Sequence, residues 1–195
     1  MGDAVGIGPE IILRAARQGA FGLPGQGPAG LGPVVLVGSV AVLQRAARVL
    51  RAQADVPEQV FARIERPGDI AQVPPGALAV LEPPALPEGW GDLATLPWGR
   101  VDARAGAAAA ACIRAAVAWT MAGEAAGVVT APIHKEALAA AGEPYPGHTE
   151  MLAAESGEHG QPADVRMMLA NEELKTVLVT VHCALREAID RIDHA

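Results

Sequence analysis

The stretch PVVLVGSVAVLQRAARVL, residues 33–50, decides the fold class. Its first part, Pro33–Gly38, is a short unbroken apolar run of the kind that forms a strand buried on both faces. Ser39 then stands where a helix N-cap is wanted, and Val40, Leu43, Ala47 and Leu50 recur on one helical face. A buried strand running straight into an amphipathic helix is the alternation of an α/β fold. Working outward, LAVLE (78–82) and GVVT (127–130) read as further short buried strands. Helices are predicted from Pro9 to about Gln18, from Val101 to Gly123, around 134–141 and from Thr149 onward. VRMMLA (165–170) and KTVLVTV (175–181), separated by a short polar turn, predict an antiparallel hairpin, with a last helix over about 185–192. Gly/Pro-rich segments at 19–33 and 83–99 read as connections. The expected fold is therefore α/β, a mixed sheet with flanking helices.

Composition narrows the function. The 195 residues carry 15 Lys and Arg against 22 Asp and Glu, a formal charge of −7 that gives no electrostatic footprint for nucleic acid or anionic lipid. Apolar residues make up 51% and aromatics only 3%, so the core is aliphatic and closely packed through small side chains. Cys112 and Cys183 form neither a disulfide framework nor a CxxC pair, which fits a reducing, cytoplasmic compartment. The opening MGDAVGIGPE has neither the basic nor the apolar region of a secretory signal, and Arg114 interrupts the Ala-rich run near 105–118, so no membrane span is expected.

Four places carry residues suited to chemistry. Gly2-Asp3-Ala4-Val5-Gly6-Ile7-Gly8-Pro9-Glu10 is a glycine loop opening a helix. Ile11 stands where a dinucleotide fingerprint needs its third glycine and no strand precedes the loop, so a tight turn is the plainer reading. Thr130-Ala131-Pro132-Ile133-His134-Lys135 leaves the carboxyl end of an expected strand, the edge at which open α/β sheets bind ligands. Lys135 there reads equally as a solvated helix residue and as a partner for phosphate or a proton. Pro144-Tyr145-Pro146-Gly147 is a stiff turn presenting His148 and Thr149, with Thr149 also suited to capping the helix that follows. His182 ends the KTVLVTV run, where an imidazole suits a metal ligand or a plain strand end. No serine elbow, HExxH, Walker or zinc-ribbon spacing occurs. The residues alone describe a His/Lys-lined edge fit for an anionic small molecule and a divalent metal.

These motifs, together with Met167-Met168-Leu169-Ala170 and Val179-Thr180-Val181-His182, occur in an order that resembles the 4-hydroxythreonine-4-phosphate dehydrogenase family of pyridoxal 5′-phosphate biosynthesis. The likeness runs along essentially the whole chain. It implies a fold similar to isocitrate and isopropylmalate dehydrogenases, with two α/β lobes, a lobe change near 100–130, and a homodimer. It implies NAD as cofactor and a divalent metal (Zn, Mg or Co), His148 and Thr149 as substrate contacts, and His182 as one of three metal-binding histidines. No residue is assigned to NAD. Lys135 is taken as the catalytic partner for phosphate or a proton. The implied reaction oxidises 4-phosphooxy-L-threonine with loss of CO₂ to 3-amino-2-oxopropyl phosphate. The alternatives are a D-threonate or D-erythronate 4-phosphate dehydrogenase, against which His134 weighs slightly, and an inactive anion-binding fragment. Ala4 departs from the proline often found there. The chain also starts inside the glycine loop and stops soon after His182, so the expectation is an N-terminal part lacking the remaining metal ligands and inactive by itself.

Overall fold

The computed structural model describes residues 1–21, 32–53, 58–84, 92–181 and 183–192. Helix α1 spans Gly8–Arg17, with Pro9 in its first turn and Arg14 and Arg17 in its last, as the macrodipole favours. Strand β1 is Leu36–Val37, and α2 follows at Val40–Gln53. Strand β2 is Phe61–Ile64 and β3 is Leu78–Leu81. The three strands form one parallel sheet in the order β1-β3-β2, with Leu36 facing Val80 and Phe61 facing Leu78. All four residues of the central strand are buried, as the unbroken apolar run at 78–81 requires.

The start of α2 is capped twice. Ser39 Oγ accepts from the Val42 N–H at 3.4 Å, as its position in the sequence predicts. The Glu82 carboxylate, arriving at the end of β3, accepts from the Val40 N–H at 2.8 Å and pairs with Arg63 of β2 at 3.3 Å. Leu13 of α1 and Leu43, Ala46 and Leu50 of α2 pack on Leu36, Leu78 and Val80 of the sheet. Each such leucine contributes about 2 kcal/mol by leaving water. On the other side, Arg45 stacks over the Trp98 ring at 3.6 Å and donates to the Ala94 and Leu96 carbonyls at 3.1 and 2.7 Å. That fastens the loop before residue 100 to α2.

Helix α3, Ala103–Met121, is capped by Asp102, whose side chain accepts from the Arg104 N–H. Its Ala-rich face lets neighbours come close. Helix α4, Lys135–Ala140, crosses at Gly106, where an added Cβ would lie 2.0 Å from the Ala137 carbonyl oxygen. Helix α5, His148–Glu155, lies on the same side, with Met151 and Leu138 buried against Ala110, Ile113 and Val117.

Several details differ from the sequence reading, which also left β2 unpredicted. GVVT (127–130) forms no strand, and Val129 is 99% exposed. A strand exists through its ladder, and among the described residues nothing pairs with this run. The parallel and antiparallel pairings also fall in separate sheets. The hairpin is present as β4, Met168–Ala170, and β5, Lys175–Val177, paired antiparallel with Met168 facing Val177. Its turn is set by Asn171, whose Oδ1 accepts from the Glu173 and Leu174 N–H groups. Strand β5 stops short of residue 181, and both hairpin strands are exposed. Helix α6, Leu185–Asp190, closes the described chain.

Candidate functional site

The glycine loop is not a free phosphate cradle. It is wedged against the Thr130–Lys135 segment. The Asp3 N–H donates to the Pro132 carbonyl at 2.9 Å, and Asp3 Oδ1 folds back to accept from the Val5 N–H. Gly2 has φ +71°, and a Cβ there would lie 2.4 Å from the Pro132 oxygen, so only glycine permits this approach. Ala4 and Val5 are buried with Val42, Leu93 and Leu96, which makes the loop part of the core. The Met1 ammonium donates to the Val37 carbonyl at 2.7 Å, and burial lowers its pKa.

The stiff turn comes to the same place. Gly147, with extended backbone, is the N-cap of α5, so Thr149 is an exposed first-turn residue and not the cap. His148 is half-buried, and its Nε2 is shut from solvent with no hydrogen-bond partner among the described residues. Burial lowers its pKa from the ordinary imidazole value. A hydrogen bond to the Ala131 backbone pulls the other way, and the Met1 ammonium adds to the lowering. That shift favours the neutral ring, in which Nδ1–H donates to the Ala131 carbonyl and Nε2 is left to accept one hydrogen bond. Lys135, exposed at the first position of α4, lies alongside, since a Cβ on Gly147 would sit 3.8 Å from its Cε and 3.5 Å from Glu150 Oε2. His134, the N-cap of α4, makes no side-chain cap and is exposed.

Three of the four sequence motifs thus converge: the glycine loop, the Ala131–Lys135 segment, and the turn carrying His148 and Thr149. His182 lies outside the described residues. Cys112 is buried, which raises its thiol pKa and leaves it inert. The sequence reading used Arg114 only to exclude a membrane span and passed over Glu143 and Glu155, with which it joins α3 to both flanks of α5. An arginine in an alanine-rich helix was their only signal, and its partners lie far away in sequence. Among the described residues no three His, Cys, Asp or Glu side chains come together as a metal set. No helix among them is long and apolar enough to cross a membrane.

A parallel α/β layer, with a glycine loop, a His/Lys edge and a proline-stiffened turn meeting at one point, defines an α/β protein with a polar candidate site. Residues 31–195 match the family described as Pyridoxal phosphate biosynthetic protein PdxA, and the chain belongs to that family. It is 42% identical over 198 residues to 4-hydroxythreonine-4-phosphate dehydrogenase of Beijerinckia indica, an alignment covering 99% of this chain and 50% of that one. It is 38% identical over 196 residues to D-threonate 4-phosphate dehydrogenase of Salmonella typhimurium, covering 100% of this chain and 53% of that one. The crystal structure of a 4-hydroxythreonine-4-phosphate dehydrogenase from Burkholderia phymatum superposes with a TM-score of 0.78 at 31% identity, over 99% of this chain and 52% of that one. The chain spans about half the length of the curated relatives it matches.

Proposed function

We propose that this chain forms the substrate-gripping part of an NAD-dependent 4-hydroxythreonine-4-phosphate dehydrogenase, acting on 4-phosphooxy-L-threonine. The observation that carries the reading is the His148 ring. Its buried, unpartnered Nε2 lies where three motifs of the family meet, and an unpaired buried polar atom costs stability unless a ligand supplies the missing bond. In this reading the His148 Nε2 accepts a hydrogen bond from a hydroxyl of the phosphorylated anion. Thr149, exposed in the first turn of α5, offers a hydroxyl to the same anion, and the helix terminus favours negative charge there. Lys135 faces the phosphate as a point charge, or handles a proton. The same reading keeps a lobe change near 100–130.

The described residues do not make a site for the metal, and the glycine loop, docked onto Pro132, is not a dinucleotide cradle. No step is therefore routed through either group. A homodimer in the cytoplasm, with Zn, Mg or Co bound through His182 and further histidines, completes the reading. A D-threonate 4-phosphate dehydrogenase is the second reading, favoured by the Salmonella typhimurium relative. The two substrates share the phosphate and its neighbouring hydroxyl, which is the part these residues would grip.

The test is NMR titration of the isotope-labelled chain with each of the two phosphorylated acids. Shifts are expected at His148, Thr149 and Lys135, and His148→Gln should weaken binding by up to about tenfold, the value of one neutral hydrogen bond. Equal affinity in the variant, or shifts confined to other regions, would overturn the assignment. The acid that binds more tightly decides between the two readings.

A further inference from the structure

We propose that Arg114 is a positioning residue: from α3 it grips both flanks of the segment that presents His148 and Thr149, and so fixes where those side chains stand. The proposal rests on the substrate-gripping reading of His148, but its test needs no substrate. Arg114 donates from Nε to Glu155 Oε1 at 2.9 Å and from Nη1 to Glu143 Oε1 at 2.9 Å, and its Nη2 bonds the second Glu143 oxygen. Glu143 stands just before the Pro144–Gly147 turn, and Glu155 is the last residue of α5. One guanidinium therefore closes a bracket around residues 143–155. Its planar fork matches Glu143 bidentately while leaving Nε for Glu155, a geometry lysine cannot copy. The carboxylates are mostly covered, at 13% and 24% exposure, so each depends on this partner.

Apolar packing alone does not set the position of α5. Met151 and Leu152 hold the underside of the helix near its middle, together with Tyr145 in the turn. A short helix resting on those contacts can still rock about them. The two carboxylate arms lie beyond them on either side and resist that motion. His148, between the arms, sits with Nε2 enclosed. The other charged groups around it are the Met1 ammonium, and Lys135 and Glu150 beside Gly147. The Met1 ammonium also faces the buried Cys112 thiol of α3.

The experiment is a side-chain NMR titration of His148 in the 195-residue chain, run on the native protein, Arg114→Met, Arg114→Lys, Glu155→Gln and Leu50→Ala. Leu50 packs on the parallel sheet and reports general destabilisation. Releasing the bracket should let water reach the ring, so the His148 titration midpoint rises toward that of an ordinary imidazole in Arg114→Met. Arg114→Lys should restore it in part. Glu155→Gln, which cuts one arm and keeps the bidentate pair, should move it in the same direction by less, and serves if Arg114→Met does not fold. Leu50→Ala should lower the unfolding midpoint and leave the His148 titration where it was. A native-like titration in Arg114→Met or in Glu155→Gln overturns the proposal, as does an equal shift in Leu50→Ala. Failure of His148 to bind a phosphorylated acid would instead defeat the proposed function and leave this result standing.

Discussion

Replacing Gly106 by alanine tests the helix crossing that seats the His/Lys edge. The new Cβ would lie 2.0 Å from the Ala137 oxygen, 2.3 Å from its carbonyl carbon and 2.8 Å from the Leu138 nitrogen, all backbone atoms. Ordinary contact begins near 3.4 Å, so α3 and α4 must part by roughly 1.4 Å. Backbone cannot swing aside as a side chain does, which puts the cost at the upper end for overpacking, about 3 kcal/mol. Alanine returns up to about 1 kcal/mol through helix propensity. The net loss is about 2 kcal/mol, or roughly 4–8 °C in Tm for a chain of this size. Urea unfolding followed by circular dichroism reads it directly, as a midpoint lower by about 1 M. Ala118→Gly, at an exposed position of the same helix, is the matched control and should cost only about 1 kcal/mol. A Gly106→Ala protein as stable as the native chain would show that the crossing is not held by backbone contact.

His148 sets a second expectation. Its folded pKa lies below the unfolded value, so the unfolded chain takes up the proton first as pH falls. Stability should hold at neutral pH and above, then decline below about 6.5 until the lowered folded value is passed. His148→Gln should remove that component from urea midpoints measured across pH 5–8. Asp102→Ala deletes the α3 cap and should cost about 1 kcal/mol at neutral pH. Arg104 hydrogen-bonds the Asp102 carboxylate and holds its pKa below the ordinary value. The native cap should therefore hold above the ordinary carboxylate range and fail as pH drops through the lowered value, which acid titration of helicity would show. The hairpin exposes Met168 at 57%, Leu169 at 57% and Val177 at 52%, so the chain should bind a hydrophobic dye and self-associate with concentration. Met168→Lys with Val177→Glu, a facing pair, should reduce both while leaving the unfolding midpoint unchanged.

What the sequence disclosed was local. Ser39 before an amphipathic run, Pro9 in a first turn and Asn171 in a hairpin turn all act within a few residues, and each structure followed. The converging motifs were legible for the same reason, as short runs of unusual residues. Failures came where partners are distant. GVVT reads as a strand, but pairing decides strands, and its composition cannot reveal a missing neighbour. β2 escaped notice because Arg63 interrupts its apolar residues, and its ion pair with Glu82 appears only in three dimensions. Arg114 looked like a stray charge, since Glu143 and Glu155 lie 29 and 41 residues away.

The cap that Glu82 places on α2 has a bearing on biosynthesis. The donor at Val40 waits for an acceptor made 42 residues later. While a ribosome is still short of that codon, α2 has Ser39 alone at its entrance, and the β3 strand that will cover its inner face has not emerged. Nascent chains halted before and after Glu82 has left the exit tunnel should therefore differ sharply in protease resistance, with the helix becoming durable only in the longer ones.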